Sequence, residues 1–344
     1  ADDTASSAAF FTAADVGGDV RPELVVSLFN NSTGGPGEVR VYTNGASLSE
    51  WSYETVFDAS AGIRFPNHVN PADVDGDGDI DLLVPGGFFI CEFTLAPCGS
   101  LSWFENTGSG WDRHVIVPDG SSRFYHRALL DDLDGDGIDD LITIGETSST
   151  GRTEWYRGIA GGDRFETTPR LIGAGGGSLF ILDDTAGDGD TDIVSPEFFA
   201  STRTAVWFEQ VSAPDAVDPA GVWQRHTITT SAGPGFEIER LDDLYGDGET
   251  VYMATNHVNP ILNGGTPSAA VYEVVPGPVI TDRWATRAVS PGFTVDSPNP
   301  GTLAPGGFGH GDVYDYGDTD LVVAGVVDDR LFVMFQEPGR TWAT

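Results

Sequence analysis

Two short segments of the sequence crowd acidic side chains into nine residues each. The alternate positions of these segments are Asp73, Asp75, Asp77, Asp79 and Asp81 in the first, and Asp132, Asp134, Asp136, Ile138 and Asp140 in the second. So many like charges in a tight loop repel one another unless a cation lies between them. Calcium takes about six to eight oxygen ligands, and glycines in the loop allow the turn that presents them. We therefore predict one Ca²⁺ ion in each loop, with Ile138 offering only its carbonyl oxygen.

Similar spacing recurs four more times along the chain with fewer acids. The loop that starts at Asp184 has Ala186 at its third position, and it could hold a third ion through Asp184, Asp188, Asp190 and Asp192. The loops that start at Asp15, Asp243 and Asp312 keep fewer of the acids. A carboxylate loop that saturates its cation leaves no open position for a reaction, so the predicted ions are structural.

The six acidic loops mark a repeat of about 57 residues that extends over the whole chain. Around each loop the pattern predicts four strands, the third with an aromatic pair such as Trp103-Phe104 and the fourth opened in most copies by a tryptophan such as Trp111. Four-stranded repeats with aromatics at fixed places are typical of β-propeller blades. The sequence thus predicts an all-β propeller in one domain, 1–344, with repeats at about 1–60, 61–118, 119–172, 173–230, 231–290 and 291–344. Six blades are counted, and a seventh would need a repeat that the pattern does not reveal.

The pattern D-x-D-x-D-G-x-x-D followed by an apolar strand resembles the FG-GAP, or VCBS, repeat of integrin α-subunit propellers and of secreted microbial propellers. The match is strong in the loops at Asp73 and Asp132 and decays in the other four. The resemblance implies that the acidic loops join the innermost strand of each blade to the next and lie on one face. The opposite face would then carry the segments that enter each inner strand.

Those entering segments are rich in groups that could bind or transform a ligand, in a chain of net charge −36. The candidates are Arg64, Asn67, His68, Arg123, Tyr125, His126, Arg127, Asn256 and His257. The sequence 67–71, Asn-His-Val-Asn-Pro, recurs at 256–260. We predict that these side chains converge on one axial pocket. Because exposed channel residues contribute little to the core, replacing His68 or His126 is expected to leave melting nearly unchanged.

A second resemblance concerns the stretch from 254 to 306. The words Ala254-Thr255-Asn256-His257, 271–276, Trp284, Gly292-Phe293 and Ala304-Pro305-Gly306 are similar to a subset of secreted propellers that includes rhamnose-glucuronate lyases and an aldos-2-ulose dehydratase. This resemblance implies β-elimination or dehydration of a sugar by a His/Tyr/Arg site near the propeller axis.

Eliminating a 4-linked uronic acid requires a cation for its carboxylate, a base and an acid. Arg64 or Arg123 suits the first role through bidentate pairing. His68, His126 or His257 could act as the base and Tyr125 as the acid, while Asn67, Arg127 and Asn256 would contact the ligand. The leading prediction is a polysaccharide lyase acting on a carbohydrate or glycoconjugate. A non-catalytic lectin or adhesin, and an extracellular structural or protein-interaction propeller, are the alternatives.

The composition argues against several other classes of function. All seventeen cationic residues are arginine, against 53 acidic ones, and such a field repels nucleic acid and anionic membranes. The chain contains no apolar stretch long enough for membrane insertion. The oligomeric state is left open, as is the alternative that the acidity is a halophile-like surface.

The two cysteines, Cys91 and Cys98, lie seven residues apart in a loop flanked by glycine and proline. We predict that they form a local disulfide in an oxidising compartment, with two free thiols as the alternative. The chain starts at Ala1 without a methionine, as a secreted protein does after signal removal, so we expect an extracellular protein.

Overall fold

The strands of the chain form six four-stranded antiparallel sheets, and in each sheet the strands are neighbours in chain order. The structure, a computed structural model, describes residues 8–29, 35–45, 47, 49–94, 96–199, 205–233, 235–257, 270–290, 305–325 and 330–343. The six sheets are the blades of a six-bladed β-propeller, which confirms the predicted fold class and blade number. Neither helix in the described ranges is long and apolar enough to cross a membrane.

The first three blades are built as continuous meanders. Blade 1 consists of β1 (Ala8–Ala14), β2 (Glu23–Leu28), β3 (Glu38–Asn44) and β4 (Trp51–Phe57). Blade 2 consists of β5 (Asn70–Ala72), β6 (Asp81–Gly86), β7 (Gly99–Asn106) and β8 (Trp111–Ser121). Blade 3 consists of β9 (Phe124–Asp131), β10 (Asp140–Glu146), β11 (Gly151–Tyr156) and β12 (Arg170–Ala174).

The other three blades repeat this plan. Blade 4 consists of β13 (Ile181–Asp183), β14 (Asp192–Pro196), β15 (Ala205–Ser212) and β16 (Val222–Thr229). Blade 5 consists of β17 (Gly235–Asp242), β18 (Thr250–Asn256), β19 (Val271–Val275) and β20 (Ala285–Ala288). Blade 6 consists of β21 (Pro305–Gly311), β22 (Asp320–Gly325), β23 (Arg330–Glu337) and β24 (Thr341–Ala343). A 3₁₀-helix, Ala59–Ala61, and the short helix α1, Cys91–Thr94, are the helices of the described residues.

Contacts divide the chain into two compact units. Unit 1 comprises 1–148, 152–173 and 212–222, and so contains blades 1 to 3 almost completely. Unit 2 comprises 149–151, 174–211 and 223–344, with blades 4 to 6. The single domain remains a prediction, and the two units are described separately below.

Aromatic side chains fill the space between neighbouring blades of one unit, as the repeat pattern predicts. In unit 1, Trp103 of blade 2 is 1% exposed and belongs to a cluster with Leu141 and Tyr156 of blade 3. In unit 2, Trp207 of blade 4 is equally buried and packs with Tyr252 of blade 5. A single sheet cannot cover both of its faces, so this packing supplies the core.

Each acidic loop is held by its first aspartate, whose carboxylate accepts main-chain N–H groups of the loop. Asp73 accepts from Gly76 at 2.8 Å and Gly78 at 3.1 Å, and Asp132 accepts from Asp136 at 3.0 Å and Gly137 at 2.8 Å. The same pair of bonds recurs at Asp15, Asp184 and Asp312, and the Asp243 carboxylate accepts from Gly248 N–H. The glycines Gly76 and Gly78 have φ of 81° and 100°, a region where residues with side chains are strained.

The carboxylate of the last aspartate of the loop accepts two main-chain N–H groups, one from its own loop and one from beyond the third strand. We call this pair of hydrogen bonds the closing bond. The carboxylate of Asp140, 0% exposed, accepts from Leu133 N–H in its own loop at 3.0 Å and from Gly158 N–H after β11 at 2.7 Å. Asp81, Asp192 and Asp320 make the equivalent pair of bonds in blades 2, 4 and 6. The closing bond thus ties three parts of one blade together and satisfies buried donors that would otherwise be unpaired.

The predicted disulfide between Cys91 and Cys98 is present, with Cα atoms 5.9 Å apart. It closes the connection between β6 and β7, and both cysteines are buried, at 2% and 6% exposure. The alternative of two free thiols is therefore wrong.

Candidate functional site

Two acidic loops of unit 1 bring carboxylate oxygens close enough to share a cation. Asp73, Asp75 and Asp81 place oxygens within 4.8 Å of one another, and so do Asp132, Asp134 and Asp136. Within the described ranges these are the two groups of at least three such ligands, and the loop at Asp184 does not form one. The calcium ions at all three loops, and the ligand roles of Asp77, Asp79, Ile138, Asp188 and Asp190, stay predictions.

The two loops differ in how their charge is balanced. In the loop 132–140, the guanidinium of Arg157 donates through Nε to Asp134 at 2.6 Å and through Nη2 to Asp136 at 2.7 Å. In the loop 73–81, no described arginine pairs with a carboxylate. Burial first, and then the negative charges of the neighbouring carboxylates, raise the pKa of Asp75. The carboxylates of the loop 73–81 therefore have no guanidinium partner among the described residues, although Arg164 donates through Nε to the Val74 carbonyl oxygen of that loop.

Burial also acts on the aspartates of the closing bonds. It raises the pKa of Asp81 to about 6 and the pKa values of Asp140 and Asp192 to about 7. Each carboxylate oxygen has two lone pairs, so an oxygen that accepts one N–H can still contact a cation. The closing bonds are thus compatible with a metal ligand at the same carboxylate.

The arginine and histidine candidates of unit 1 lie at the strand ends away from these loops. β5 runs into the loop 73–81 and β6 returns from it, so Gly86 marks the opposite end of blade 2. Pro66, next to Asn67, pairs with Gly86 in an isolated bridge. β9 starts at Phe124, beside Arg123, and ends before the loop 132–140. Within unit 1, the arginine and histidine candidates therefore lie at the strand ends opposite the acidic loops.

Arg64 and Arg123 differ from most described arginines, which pair with carboxylates. Neither lies within ion-pair distance of a carboxylate among the described residues, and both side chains are half-buried. Arg123 donates through Nη1 to the carbonyl oxygen of Gly145 at 2.8 Å. In a chain of net charge −36, these two guanidinium groups have no ion-pair partner among the described residues, although the buried Glu154 carboxyl lies close enough for the Arg123 charge to act on it.

His68 is the candidate base with surface left for a ligand. It is closely surrounded by protein atoms yet keeps part of its surface exposed, as a side chain at the bottom of a recess does. Burial, and next the charge of Arg127, hold its pKa well below the usual range, so the ring is neutral. Arg127 Nη2 lies 3.4 Å from His68 Nε2, and a guanidinium can only donate. The ring proton therefore belongs on Nδ1, which has no hydrogen-bond partner in the described structure.

Five of the nine predicted site residues are buried: Asn67, Tyr125, His126, Arg127 and Asn256. His126 is 2% exposed, and its Nδ1 lies 2.6 Å from Oε1 of the equally buried Glu146. Tyr125 is 3% exposed, and burial raises its pKa. Asn67 is fully buried and donates both amide hydrogens, to Gly87 O and Tyr125 O at 2.7 Å each. The expectation that His126 is an exposed channel residue is wrong, because its long-range partner Glu146 draws it into the protein.

Arg127 is 7% exposed. Its guanidinium lies against His68, so its charge acts on that ring rather than on open solvent.

The remaining two candidates belong to unit 2. Asn256 ends β18, donates to Ala232 O at 2.9 Å and accepts from Ala270 N–H at 2.8 Å. His257 lies between Phe198 and Phe236, with ring centroids 5.3 and 5.5 Å away. Residues 258–260 of the repeated segment, and Gly292, Phe293 and Ala304, lie outside the described residues. The convergence of His257 and His68 on one pocket stays a prediction.

Sequence reasoning missed a group of side chains that meets beside Arg123. A Cβ atom at Gly145 would lie 2.9 Å from Arg123 Cδ, 3.2 Å from the Tyr125 ring and 3.4 Å from Glu154 Oε1. Glu154 is 3% exposed, and burial raises its pKa although Arg152 and Arg123 oppose this. Only the cross-strand register of β9, β10 and β11 brings these residues together, so local spacing held no signal for Glu154.

His114 and His226 have structural roles in their blades. His114 stacks on Trp103 at 4.2 Å and contacts Glu105 at 2.8 Å, and His226 stacks on Trp207 at 4.4 Å and contacts Glu209 at 2.6 Å. The two stacks are equivalent in blades 2 and 4.

No protein-family profile matches this chain, and no curated protein matches it. Similar solved structures include an endo-arabinase from Bacteroides thetaiotaomicron VPI-5482, at 15% identity and TM-score 0.41, covering 80% of this chain and 94% of that one. Another is the Bacillus licheniformis rhamnogalacturonan lyase PL11, at 13% identity and TM-score 0.46, covering 98% of this chain and 57% of that one. A third is the exotype rhamnogalacturonan lyase YesX, at 14% identity and TM-score 0.41, covering 97% and 65%. This chain spans less than two thirds of either lyase, and its function has to be argued from the site itself.

Proposed function

We propose that this chain is a glycan-directed propeller that binds the carboxylate of a uronic acid at Arg64 and Arg123. The observation that carries the proposal is the pair of guanidinium groups that form no ion pair with a carboxylate of the described residues, at the strand ends opposite the acidic loops. A guanidinium matches a carboxylate with two parallel N–H donors, and this geometry selects carboxylated sugars over neutral ones.

The overall charge does not prevent this binding. The net charge of −36 repels a polyanion at long range, but salt screens exposed charges beyond about 8 Å at physiological ionic strength. The local field at Arg64 and Arg123 therefore decides the contact. Capture is expected to weaken at low ionic strength, where the repulsion extends further.

A polysaccharide lyase is the second candidate function, and His68 favours it. The ring is neutral and partly exposed, so Nε2 is a basic nitrogen once the Arg127 donor turns away. In β-elimination the base takes the proton beside the carboxylate, a C=C bond forms, and the glycosidic C–O bond breaks with protonation of the leaving oxygen. Tyr125 and His126 are buried, which counts against direct contact with a polymer. A lectin or adhesin would bind the sugar through Arg64 and Arg123 without a base such as His68. A structural propeller would need neither the arginines nor His68.

The proposed function is tested by replacing the two arginines. Arg64→Gln and Arg123→Gln are each expected to weaken binding of polygalacturonate or alginate at least tenfold, since a charge-assisted bidentate contact is lost. Isothermal titration calorimetry measures the affinity, and absorbance of the unsaturated product reports elimination. Arg283→Gln is the control, because Arg283 donates to the Thr230 hydroxyl in unit 2 rather than to a carboxylate. Binding that is unchanged in both site variants, or equal for neutral dextran, contradicts the proposal.

We also propose that Ca²⁺ stabilises unit 1 at the loops 73–81 and 132–140. The carboxylate groups of both loops fit a hard cation in ligand type and mutual distance. Arg157 already neutralises part of the second loop, so the first loop is proposed to bind more tightly.

Chelation is expected to lower the melting temperature, because an ion at 100 times its Kd stabilises the fold by about 2.7 kcal/mol. Elemental analysis should find one ion fewer in Asp75→Ala and in Asp134→Ala, and Arg157→Gln should raise the calcium affinity of the second loop. Asp243→Ala serves as the control with no expected loss. Unchanged melting in EDTA, together with no ion in either loop, would refute calcium binding.

An extracellular location is part of the proposal. Disulfides persist in oxidising compartments, and the bond between Cys91 and Cys98 fits one.

A further inference from the structure

The connection between β6 and β7 starts beside the main chain of Arg64 and ends beside the main chain of Arg123. We call residues 87–98 the aromatic loop. At its start, Gly87 N–H donates to Arg64 O at 2.9 Å. Just after its end, Gly99 packs so closely on the main chain of Arg123 that a Cβ atom there would lie 1.5 Å from Arg123 O. The aromatic loop therefore starts and ends beside the main chain of Arg64 and Arg123.

The aromatic loop carries a row of phenylalanine rings. The Phe88 centroid lies 6.2 Å from that of His126 and 4.5 Å from that of Phe89, and Phe89 is 6.4 Å from Phe93. Phe93 at the outer end is 68% exposed. The row leads from the packed interior near His126 to an apolar ring in solvent.

The exposed ring is held in place more firmly than the blade requires. The disulfide closes the aromatic loop, and the carboxylate of Glu92 accepts from Ser148 N–H at 2.7 Å and Ser148 Oγ at 2.6 Å. The equivalent connection in blade 3, between β10 and β11, needs only residues 147–150. A longer, cross-linked connection that keeps a phenylalanine in water indicates a ligand for that ring, because fixing an aromatic before binding lowers the entropic cost.

We infer that Phe93 is a stacking position for the sugar unit next to the one whose carboxylate pairs with Arg64 and Arg123. The occupant is the same uronic-acid glycan, so the inference rests on the proposed function. The C–H groups on one face of a sugar ring carry partial positive charge, and an aromatic face is negative. Adjacent apolar and cationic positions suit a polymer whose rings each present a C–H face and a carboxylate.

Phe93→Ala tests the inference, with Phe11→Ala as the matched control. Phe11 is the same residue type with the same 68% exposure, on β1 of blade 1. Calorimetry with polygalacturonate should give about tenfold weaker binding for Phe93→Ala and wild-type binding for Phe11→Ala. Monomeric galacturonate, which fills only the arginine position, should bind both variants like the wild type. Equal melting temperatures verify that neither exposed ring supports the fold.

The outcomes separate this inference from the proposed function. If Arg64→Gln and Arg123→Gln lose affinity while Phe93→Ala binds the polymer normally, the stacking position is wrong and the carboxylate site stands. If Phe93→Ala weakens monomer and polymer equally, the ring supports the arginines rather than a second sugar, and the inference is also wrong. If the wild-type chain binds neither probe, or the arginine variants bind normally, both proposals fall.

Discussion

Asp140→Ala is expected to lower the free energy of unfolding by about 3 kcal/mol, because two main-chain N–H groups lose a buried acceptor. The donors are Leu133 in the acidic loop and Gly158 after β11, and Asp140 is 0% exposed. An alanine leaves the space of the carboxylate unfilled. Chemical denaturation monitored by tryptophan fluorescence measures the loss.

A chelator distinguishes the closing bond from a metal ligand at the same residue. In EDTA the Asp140→Ala loss should persist, since its cause is a pair of hydrogen bonds. Asp136→Ala, whose side chain lies in the exposed part of the same loop, should match the wild type in EDTA to within about 1 kcal/mol. An Asp140→Ala loss that disappears in EDTA would mean that the carboxylate acts through a cation and not through the closing bond.

His126→Ala is expected to cost about 3 kcal/mol, contrary to what the sequence alone indicated. The substitution removes a buried partner of Glu146 and opens space against Phe88 and Phe124, whose ring centroids lie 6.2 and 5.4 Å from the imidazole. Thermal and chemical unfolding of the purified variant measure the cost.

His68→Ala is the matched control for this prediction. The two histidines are neighbours, with His68 N–H donating to His126 O at 3.1 Å, yet the His68 ring is partly exposed, and its described contacts are the Arg127 guanidinium and the Phe10 ring, whose centroid lies 6.0 Å away. Its removal should cost less than about 1 kcal/mol. If His68→Ala and His126→Ala have the same melting temperature, the His126–Glu146 pair contributes nothing to stability. A loss of sugar binding in His126→Ala has to be corrected for the unfolded fraction before it is assigned to the site.

The fold was predictable because each signal for it is local and repeated. The acidic loop recurs six times with small variations, and the aromatic pair and the tryptophan that opens a strand recur in several copies, so a single weak copy, such as the one at Asp15, does not obscure the pattern. The disulfide was equally predictable from the sequence, since Cys91 and Cys98 are only seven residues apart. The placement of Arg64 and Arg123 away from the acidic loops of their unit was an expectation that the resemblance of the repeat implied.

Partners that depend on register were not predictable from spacing. Glu146 reaches His126 from the neighbouring strand, and Arg157 reaches over the loop 132–140 from the end of β11. Neither residue lies in a motif, and the sequence cannot tell whether a charged side chain points to solvent or across a sheet. The aspartates of the closing bonds were expected only as ligands, because their main-chain partners carry no side-chain signature.

The closing bonds also bear on how such a chain could arise and fold. The most distant of these bonds, from Asp81 to Asn106, spans 25 residues, and every one stays inside its own blade. Bonds that are local in sequence form with little loss of chain entropy, so a blade can organise before its neighbours arrive. A segment whose loop and strands are joined by its own closing bond can also be duplicated in tandem with that bond intact. In blades 2, 3, 4 and 6, duplication of the blade would therefore copy the closing bond together with the strands that it stabilises.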